Sequence, residues 1–419
     1  MMKFSTSKFS ENKFCKFSSF IYVLLPIAII SGNFFTNFLV VFSIVPLSIL
    51  IIVNKNKNNV NVKEIIYISI FFLYLIINSF LNSENDTILT TLKYLRFYFY
   101  CIAIFFLFYF CRKFFENLIF VFFIIYLLLI IDGFFQYYNE INVIGLKQIT
   151  PHRISSFFGN ELILGSFISK YLVFIILYFL INKKYFFLLL PLLFLLLILS
   201  FISGERTAFV TTLLISFFTL IKLYNFKKII FFFSILITSL FLIVTFDEIV
   251  NHRMIYSTIT DTKLLTEWKN PKSLKIYSDQ HNSHFQSAYL MYKKGNFSEK
   301  IFGRGMKSFK RNCSLKKFCD EINCCSTHPH NIFLQILSEI GLIGLFFYLY
   351  FLLYLIYNST LFLFKKIENK KYIVLISILF NYLPFLTSGN FFGTFLSTNI
   401  FLLIALLIYF NNQKKTIND

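Results

Sequence analysis

Long apolar runs separated by short polar connections dominate the chain. Runs of about 17 to 25 mostly apolar residues are long enough to cross roughly 30 Å of hydrocarbon as helices, which satisfy their own backbone there. About twelve such spans are legible, over residues 17–30, 34–53, 64–81, 94–110, 118–137, 161–181, 185–202, 206–223, 229–246, 332–364, 372–387 and 395–410. The pattern predicts an all-α, polytopic integral membrane protein. Residues 1–246 would hold the first nine spans, 247–331 one large loop with short helices of its own, and 332–419 the last three. The first run follows Lys3, Lys8, Lys13 and Lys16 as in a signal peptide, yet no small-residue cleavage site comes after it, so it reads as an uncleaved span.

Lys and Arg near span ends mark the cytoplasmic side. Lys55, Lys57 and Lys63, Arg112 and Lys113, Lys183 and Lys184, Lys222, Lys227 and Lys228, Lys365, Lys366, Lys370 and Lys371, and Lys414 and Lys415 fall on one side if twelve spans alternate. Both termini are expected there. The loop over 247–331 then lies outside, and its own cations need another explanation, because long loops translocate whatever their charge. The net charge of +20 is therefore largely topological and gives no reason to invoke nucleic acid. The heavy use of Phe, Ile, Asn and Lys fits genomic base composition as readily as any function.

Cysteines cluster as Cys313, Cys319, Cys324 and Cys325 at the end of the loop, with Cys15, Cys101 and Cys111 near or within spans. Adjacent cysteines rarely bridge each other, so Cys324 and Cys325 are each expected to pair back to Cys313 or Cys319, in one of two connectivities. Free thiols and a Cys/His zinc site remain alternatives, although the spacing lacks paired CxxC and an oxidising exterior favours disulfides. Upstream, Ser283 and Gln286 suggest a capping box, and Phe285, Ala288, Tyr289 and Tyr292 recur at helical spacing, predicting an amphipathic helix on the membrane domain. Gly303 and Gly305 in IFGRGMKSF mark a tight turn, either plain or one whose N–H groups approach a ligand.

The chemistry concentrates in HPHNIFLQILSEIGLIGL, residues 328–345. Pro329 keeps His328 out of a helix, Asn331 suits an N-cap, and His330 falls at the helix start, where a neutral imidazole can take a proton and the first-turn N–H groups favour an anion. The competing reading is polar residues at an interface. Gln335 and Glu339 lie four apart on one face, and a carboxylate at that depth is costly unless it faces protein or water and orients a partner.

This stretch, preceded by a long loop containing IFGRGMKSF, resembles the signature of the O-antigen ligase and O-antigen polymerase family of bacterial membrane glycosyltransferases. The matching positions are His330, Asn331, Glu339, Gly341 and Gly344. SGERTAF (203–209) and, more weakly, HRISSFFGNELILGS (152–166) extend the likeness over about residues 153–345. The resemblance implies transfer of a glycan from undecaprenyl diphosphate to an acceptor hydroxyl, on lipid A-core or a second lipid-linked glycan. The reaction would be inverting, with no metal or cofactor, at the periplasmic face of the inner membrane among membrane lipids. It assigns His330 as general base, with Glu339 beside it in the catalytic set and His328 and Asn331 as secondary candidates. The leaving diphosphate would be held by Arg206 first, then Arg153, Arg253, Arg304 and Lys307, although Arg206 also suits a helix-end pair with Glu205. Family members carry Arg-Trp before the glycine turn; here HNSHFQSAY (281–289) stands instead, with His281 and His284 as possible substitutes. Loop cations such as Arg253, Lys263, Lys269, Lys293, Lys294, Arg304, Lys307, Lys310 and Arg311 would attract an anionic lipid or simply form a solvated face. A flippase would also have about twelve spans, but internally repeated halves and charges deep in several helices, as in transporters, are not apparent.

Overall fold

The computed structural model describes residues 6–53, 63–82, 85–148, 153–262, 277–319, 324–364 and 368–413. Lys3, Lys55, Lys57, His152, Lys263, Lys269, Lys365, Lys366, Lys414 and Lys415 lie outside the described residues. Every regular element among those described is helical: Thr6–Val23 (α1), Leu25–Ile30 (α2), Asn33–Phe42 (α3), Ile44–Val53 (α4), Lys63–Leu81 (α5), Asn85–Tyr94 (α6), Arg96–Phe110 (α7), Arg112–Asn139 (α8), Leu164–Ile181 (α9), Leu189–Ile202 (α10), Arg206–Leu223 (α11), Phe226–Phe246 (α12), Glu248–Asn251 (α13), Ser257–Thr262 (α14), Asp279–Lys293 (α15), Phe297–Phe302 (α16), Ser308–Asn312 (α17), Ile332–Phe364 (α18), Asn369–Asn381 (α19) and Thr394–Asn412 (α20). Nine helices among the described residues are long and apolar enough to cross a membrane, so this is an all-α, multi-pass membrane protein. Helices α9 and α20 form its centre, 72% and 78% buried, whereas α12 is 17% buried and presents Phe231, Ile237 and Phe241 outward as a lipid-facing helix would.

The first two expected spans are each broken. Pro26 and Pro46 cannot donate to the preceding turn, and the helices restart at Leu25 and Ile44. Near the other terminus, α19 ends at Asn381 rather than at 387, because Pro384 disfavours helix in the residue before it. Its 13 residues reach only about 20 Å. The chain then forms a non-helical turn over 382–393 between two apolar helices, and its polar groups are met by side chains from around it. The Tyr382 carbonyl accepts the Tyr348 hydroxyl (2.6 Å), that of Pro384 the Asn331 amide (2.8 Å), and that of Phe385 the Tyr277 hydroxyl. The Phe391 N–H donates to Gln335 Oε1 (2.9 Å). Irregular backbone at such a position is tolerated only when buried in protein or lining a cavity.

Two features qualify the reading of charge and sulfur. Lys170 lies in the middle of α9 and is buried, its Nζ 3.2 Å from the Asn381 carbonyl, so not every charge gathers at the surface. Cys15 and Cys111 also pair, with Cα atoms 5.5 Å apart, at the end carrying Lys113. The expectation of an oxidising exterior does not extend to that end.

Candidate active site

Helix α18 contains a break that organises everything around it. Gly341 has φ 68° and ψ −167°, a region open only to glycine, and the interruption strands the carbonyls of the preceding turn. Each is met: the Arg304 N–H reaches Ser338 O (3.3 Å), the Gly305 N–H reaches Glu339 O (2.8 Å), and the Tyr74 hydroxyl reaches Ile340 O (2.5 Å). Gly303 and Gly305 also have positive φ, and a Cβ on Gly303 would come within 2.4 Å of Glu339 O. The glycine turn therefore does bring backbone N–H groups close to a partner, and that partner is α18 itself. Glu339 completes the joint. Its carboxylate accepts the N–H groups of Lys307 (3.0 Å) and Phe309 (3.3 Å) and lies 3.4 Å from the Gln335 amide, so it is a positioning residue for this loop, not a group turned to the imidazoles.

At the start of α18, Asn331 is the N-cap, as expected, accepting the Leu334 N–H (3.0 Å). His330 precedes it with φ 57°, a strained conformation for a non-glycine residue that is characteristic of functional sites. Its carbonyl accepts the Ser388 N–H (2.9 Å) from the 382–393 turn. Four imidazoles meet here: the ring of His330 lies 4.1 Å from that of His328, and 5.3 Å from those of both His281 and His284. The Nε2 of His328 donates to Ser388 O (3.3 Å), leaving its Nδ1 to accept from Thr327 (2.9 Å). Among the described residues no protein group hydrogen-bonds the His330 ring, and no three His, Cys, Asp or Glu are spaced to hold a metal ion. Burial, and then the adjacent imidazoles, push the pKa of His330 down to about 3; burial pushes His328 to about 4. Both rings are neutral at physiological pH.

His281 and His284 arrive on α15, whose N-cap is Ser278 rather than the expected Ser283. The buried face also differs: Ser283, His284, Ser287, Ala288 and Met291 turn inward while Tyr289 is exposed, so only Ala288 of the expected apolar stripe is buried. On this inner face His284 meets the His330 ring, while Ala288 and Met291 pack with Phe309 and Phe318. Cys313 pairs with Cys325 and Cys319 with Cys324, Cα atoms 5.2 and 5.6 Å apart, one of the two expected connectivities, bracing the chain just before His328.

Three of the five expected phosphate-binding cations come together. Arg206, at the start of α11, pairs with Asp261 (2.9 Å) and not with Glu205. Glu205 instead accepts the N–H groups of Gly165 (2.7 Å) and Ser166 (3.1 Å) at the start of α9. Arg253 lies on a π-helical turn and donates through Nε to Gly204 O (3.2 Å). Its pKa is lowered by burial and by the charges of Arg206 and Arg153. Arg153 donates to Leu162 O (3.0 Å), while its Nε is buried with no partner. Two residues on, the N–H groups of Ser155 (3.0 Å) and Ser156 (2.6 Å) donate to Gln136 Oε1 of α8, which anchors the segment that carries it. Arg206 and Asp261 both act on His281, which ties the guanidiniums to the imidazoles. Arg304 does not join them. It pairs with Glu299 (2.7 Å), donates to Met291 O and stacks on Phe318, so its charge is used within the loop. Lys307 lies apart from the three arginines, at the joint near Arg96.

Residues 191–349 match the family model described as O-antigen ligase. This segment is similar to O-antigen ligase domains. It runs from within α10 to the middle of α18, and so contains Arg206, Arg253, α15, the glycine joint and His330. Arg153 and the 382–393 turn complete the site from outside the matched segment. No curated protein matches the chain.

Sequence reasoning assigned no role to the 382–393 turn, Asp261, Asp132 or Arg96. Pro384 and the Ser388–Gly389–Asn390 cluster were the available signal for the turn, lying on the same expected face as His330.

Proposed function

We propose that the protein transfers a glycan from undecaprenyl diphosphate to a hydroxyl of lipid A-core at the periplasmic face of the bacterial inner membrane. His330 is the general base and Arg153, Arg206 and Arg253 hold the leaving diphosphate. The observation that carries this reading is a neutral imidazole whose ring has no hydrogen-bond partner among the described residues, 5.3 Å from the His281 ring on which Arg206 of the arginine group acts.

In the step itself, the acceptor oxygen attacks the anomeric carbon from the face opposite the diphosphate, and the bond from that carbon to the diphosphate oxygen breaks. The acceptor proton passes to His330, and undecaprenyl diphosphate departs carrying the negative charge. A low pKa keeps His330 unprotonated and ready. Its basicity rises when the anionic diphosphate binds nearby, so the charge of the substrate switches on the base that uses it. Planar guanidiniums fixed by Asp261, Gly204 and Leu162 stabilise the developing charge with little reorganisation.

The test is transfer by purified protein in detergent with undecaprenyl diphosphate glycan as donor, EDTA present, and lipid A-core as acceptor. Transfer that disappears with His330→Ala supports the reading. Longer lipid-linked chains and no product on lipid A-core would make the protein a polymerase using the same groups. No product of either kind would remove the enzymatic reading.

A further inference from the structure

A second group of cations stands where α17 meets α18, at the other end of the motif from His330. Arg96, the first residue of α7, is half-buried; its Nη1 donates to Lys93 O (3.0 Å), and its Nε is buried without a hydrogen-bond partner. Beside it stands Lys307, held at φ 58° as the N-cap of α17, with Lys310 following on that helix. The loop carrying Lys307 is pressed onto α6, where Gly305 meets Thr87 and the Arg311 guanidinium donates to Thr87 Oγ1 (2.6 Å); burial, then the charges of Arg96 and Lys310, lower the Lys307 pKa. Glu339 opposes them, but its oxygens already receive two N–H groups and lie near the Gln335 amide. The arginine group, by contrast, has Asp261 and Glu205 among its three guanidiniums. Like charges gathered where the loop packs on the α6–α7 span, with one carboxylate already engaged, are stabilised by an anion that supplies the missing contacts.

We infer that Arg96, Lys307 and Lys310 form a second anion subsite that holds a phosphate of the acceptor glycolipid while the arginine group holds the diphosphate of the donor. The inference rests on the donor and acceptor assignment proposed above. Two anionic lipids in one leaflet repel each other, and separate cation groups let both remain bound while the acceptor hydroxyl reaches His330. Arg304 is excluded from this role because the Glu299 carboxylate already pairs with it (2.7 Å).

The experiment is binding to the purified full chain in detergent, read without turnover, for wild type and an Arg96→Gln/Lys307→Gln double variant. The probes are diphosphoryl lipid A, its dephosphorylated form, undecaprenyl diphosphate and phosphatidylglycerol. The double variant is expected to weaken diphosphoryl lipid A by about tenfold or more and to leave undecaprenyl diphosphate within about twofold. Dephosphorylated lipid A is expected to bind wild type and variant alike, and phosphatidylglycerol not to compete. An Arg96→Lys/Lys307→Arg variant keeps both charges and is expected to keep binding, which separates charge from folding. Unchanged lipid A affinity, a loss confined to undecaprenyl diphosphate, or equal competition by phosphatidylglycerol would each overturn the subsite. Undecaprenyl diphosphate binding that survives Arg206→Gln/Arg253→Gln would instead sink the donor assignment and leave the second subsite standing.

Discussion

At His330 the chain leaves an imidazole with no hydrogen-bond partner among the described residues, and about three helical turns later, at Gly341, it meets every carbonyl that the helix break exposes. Both lie in one short motif and both have positive φ. The first end keeps a reactive group unsatisfied in a crowd of like groups. The second binds a loop to a helix through backbone atoms, with Glu339 as the bolt. Proximity in sequence therefore did not mean a shared setting: the carboxylate of Glu339 is engaged by the N–H groups of Lys307 and Phe309, away from the imidazoles gathered at His330.

The sharpest way to break this comparison is to remove each end in turn. His330→Ala is expected to lower transfer by about 10²- to 10⁴-fold while leaving the melting temperature in detergent nearly unchanged, so an unstable variant would mean the ring is a packing element. Gly341→Ala places a Cβ 2.4 Å from the Gly303 nitrogen. The left-handed conformation costs about 1–2 kcal/mol and the overlap about 1–3 kcal/mol more, so lower thermal stability and loss of activity should appear together. A stable but inactive Gly341→Ala protein would put the joint into the chemistry. Glu339→Gln keeps an acceptor but loses its charge, and should cost about 1–2 kcal/mol with kcat changed far less than by His330→Ala.

A gentler test uses pH. The imidazoles of His328 and His330 are held at about 4 and about 3 in the folded protein. The unfolded chain takes up protons on them below about 6.5, which the folded protein does not. Stability is therefore full above about pH 7 and is lost as pH falls from about 6.5 toward 4. The melting temperature should drop across that window, and His328→Gln should flatten the drop. The smallest expected effect is Asn331→Asp, which retains the cap to Leu334 but loses the amide bond to Pro384 O, at about 1 kcal/mol.

What the sequence disclosed followed from signals that need no tertiary knowledge. Span length and hydrophobicity disclosed the helices, and topology put Arg153, Arg206, Arg253 and His330 on one face before any contact was known. What stayed hidden depends on how elements meet. The inward face of α15 could not be read, because periodicity assigns apolar residues inward and here His284 and Ser287 turn inward toward the site. The fate of Glu205 depended on a partner far along the chain, Gly165, and that of Arg304 on how the loop folds Glu299 and Phe318 around it. The first half of the turn, 382–387, was read as the end of a span, since its residues are apolar enough and the side chains that satisfy its backbone come from other elements.

The joint between Gly303 and Gly341 recognises main chain, and main chain is the same in every residue. A composition as skewed toward Phe, Ile, Lys and Asn as this one leaves such a contact untouched so long as the two glycines remain. The loop is thus free to change its surface, and with it the molecules it meets, without loosening its grip on the helix that begins at the histidine: a lock indifferent to the drift of the alphabet around it.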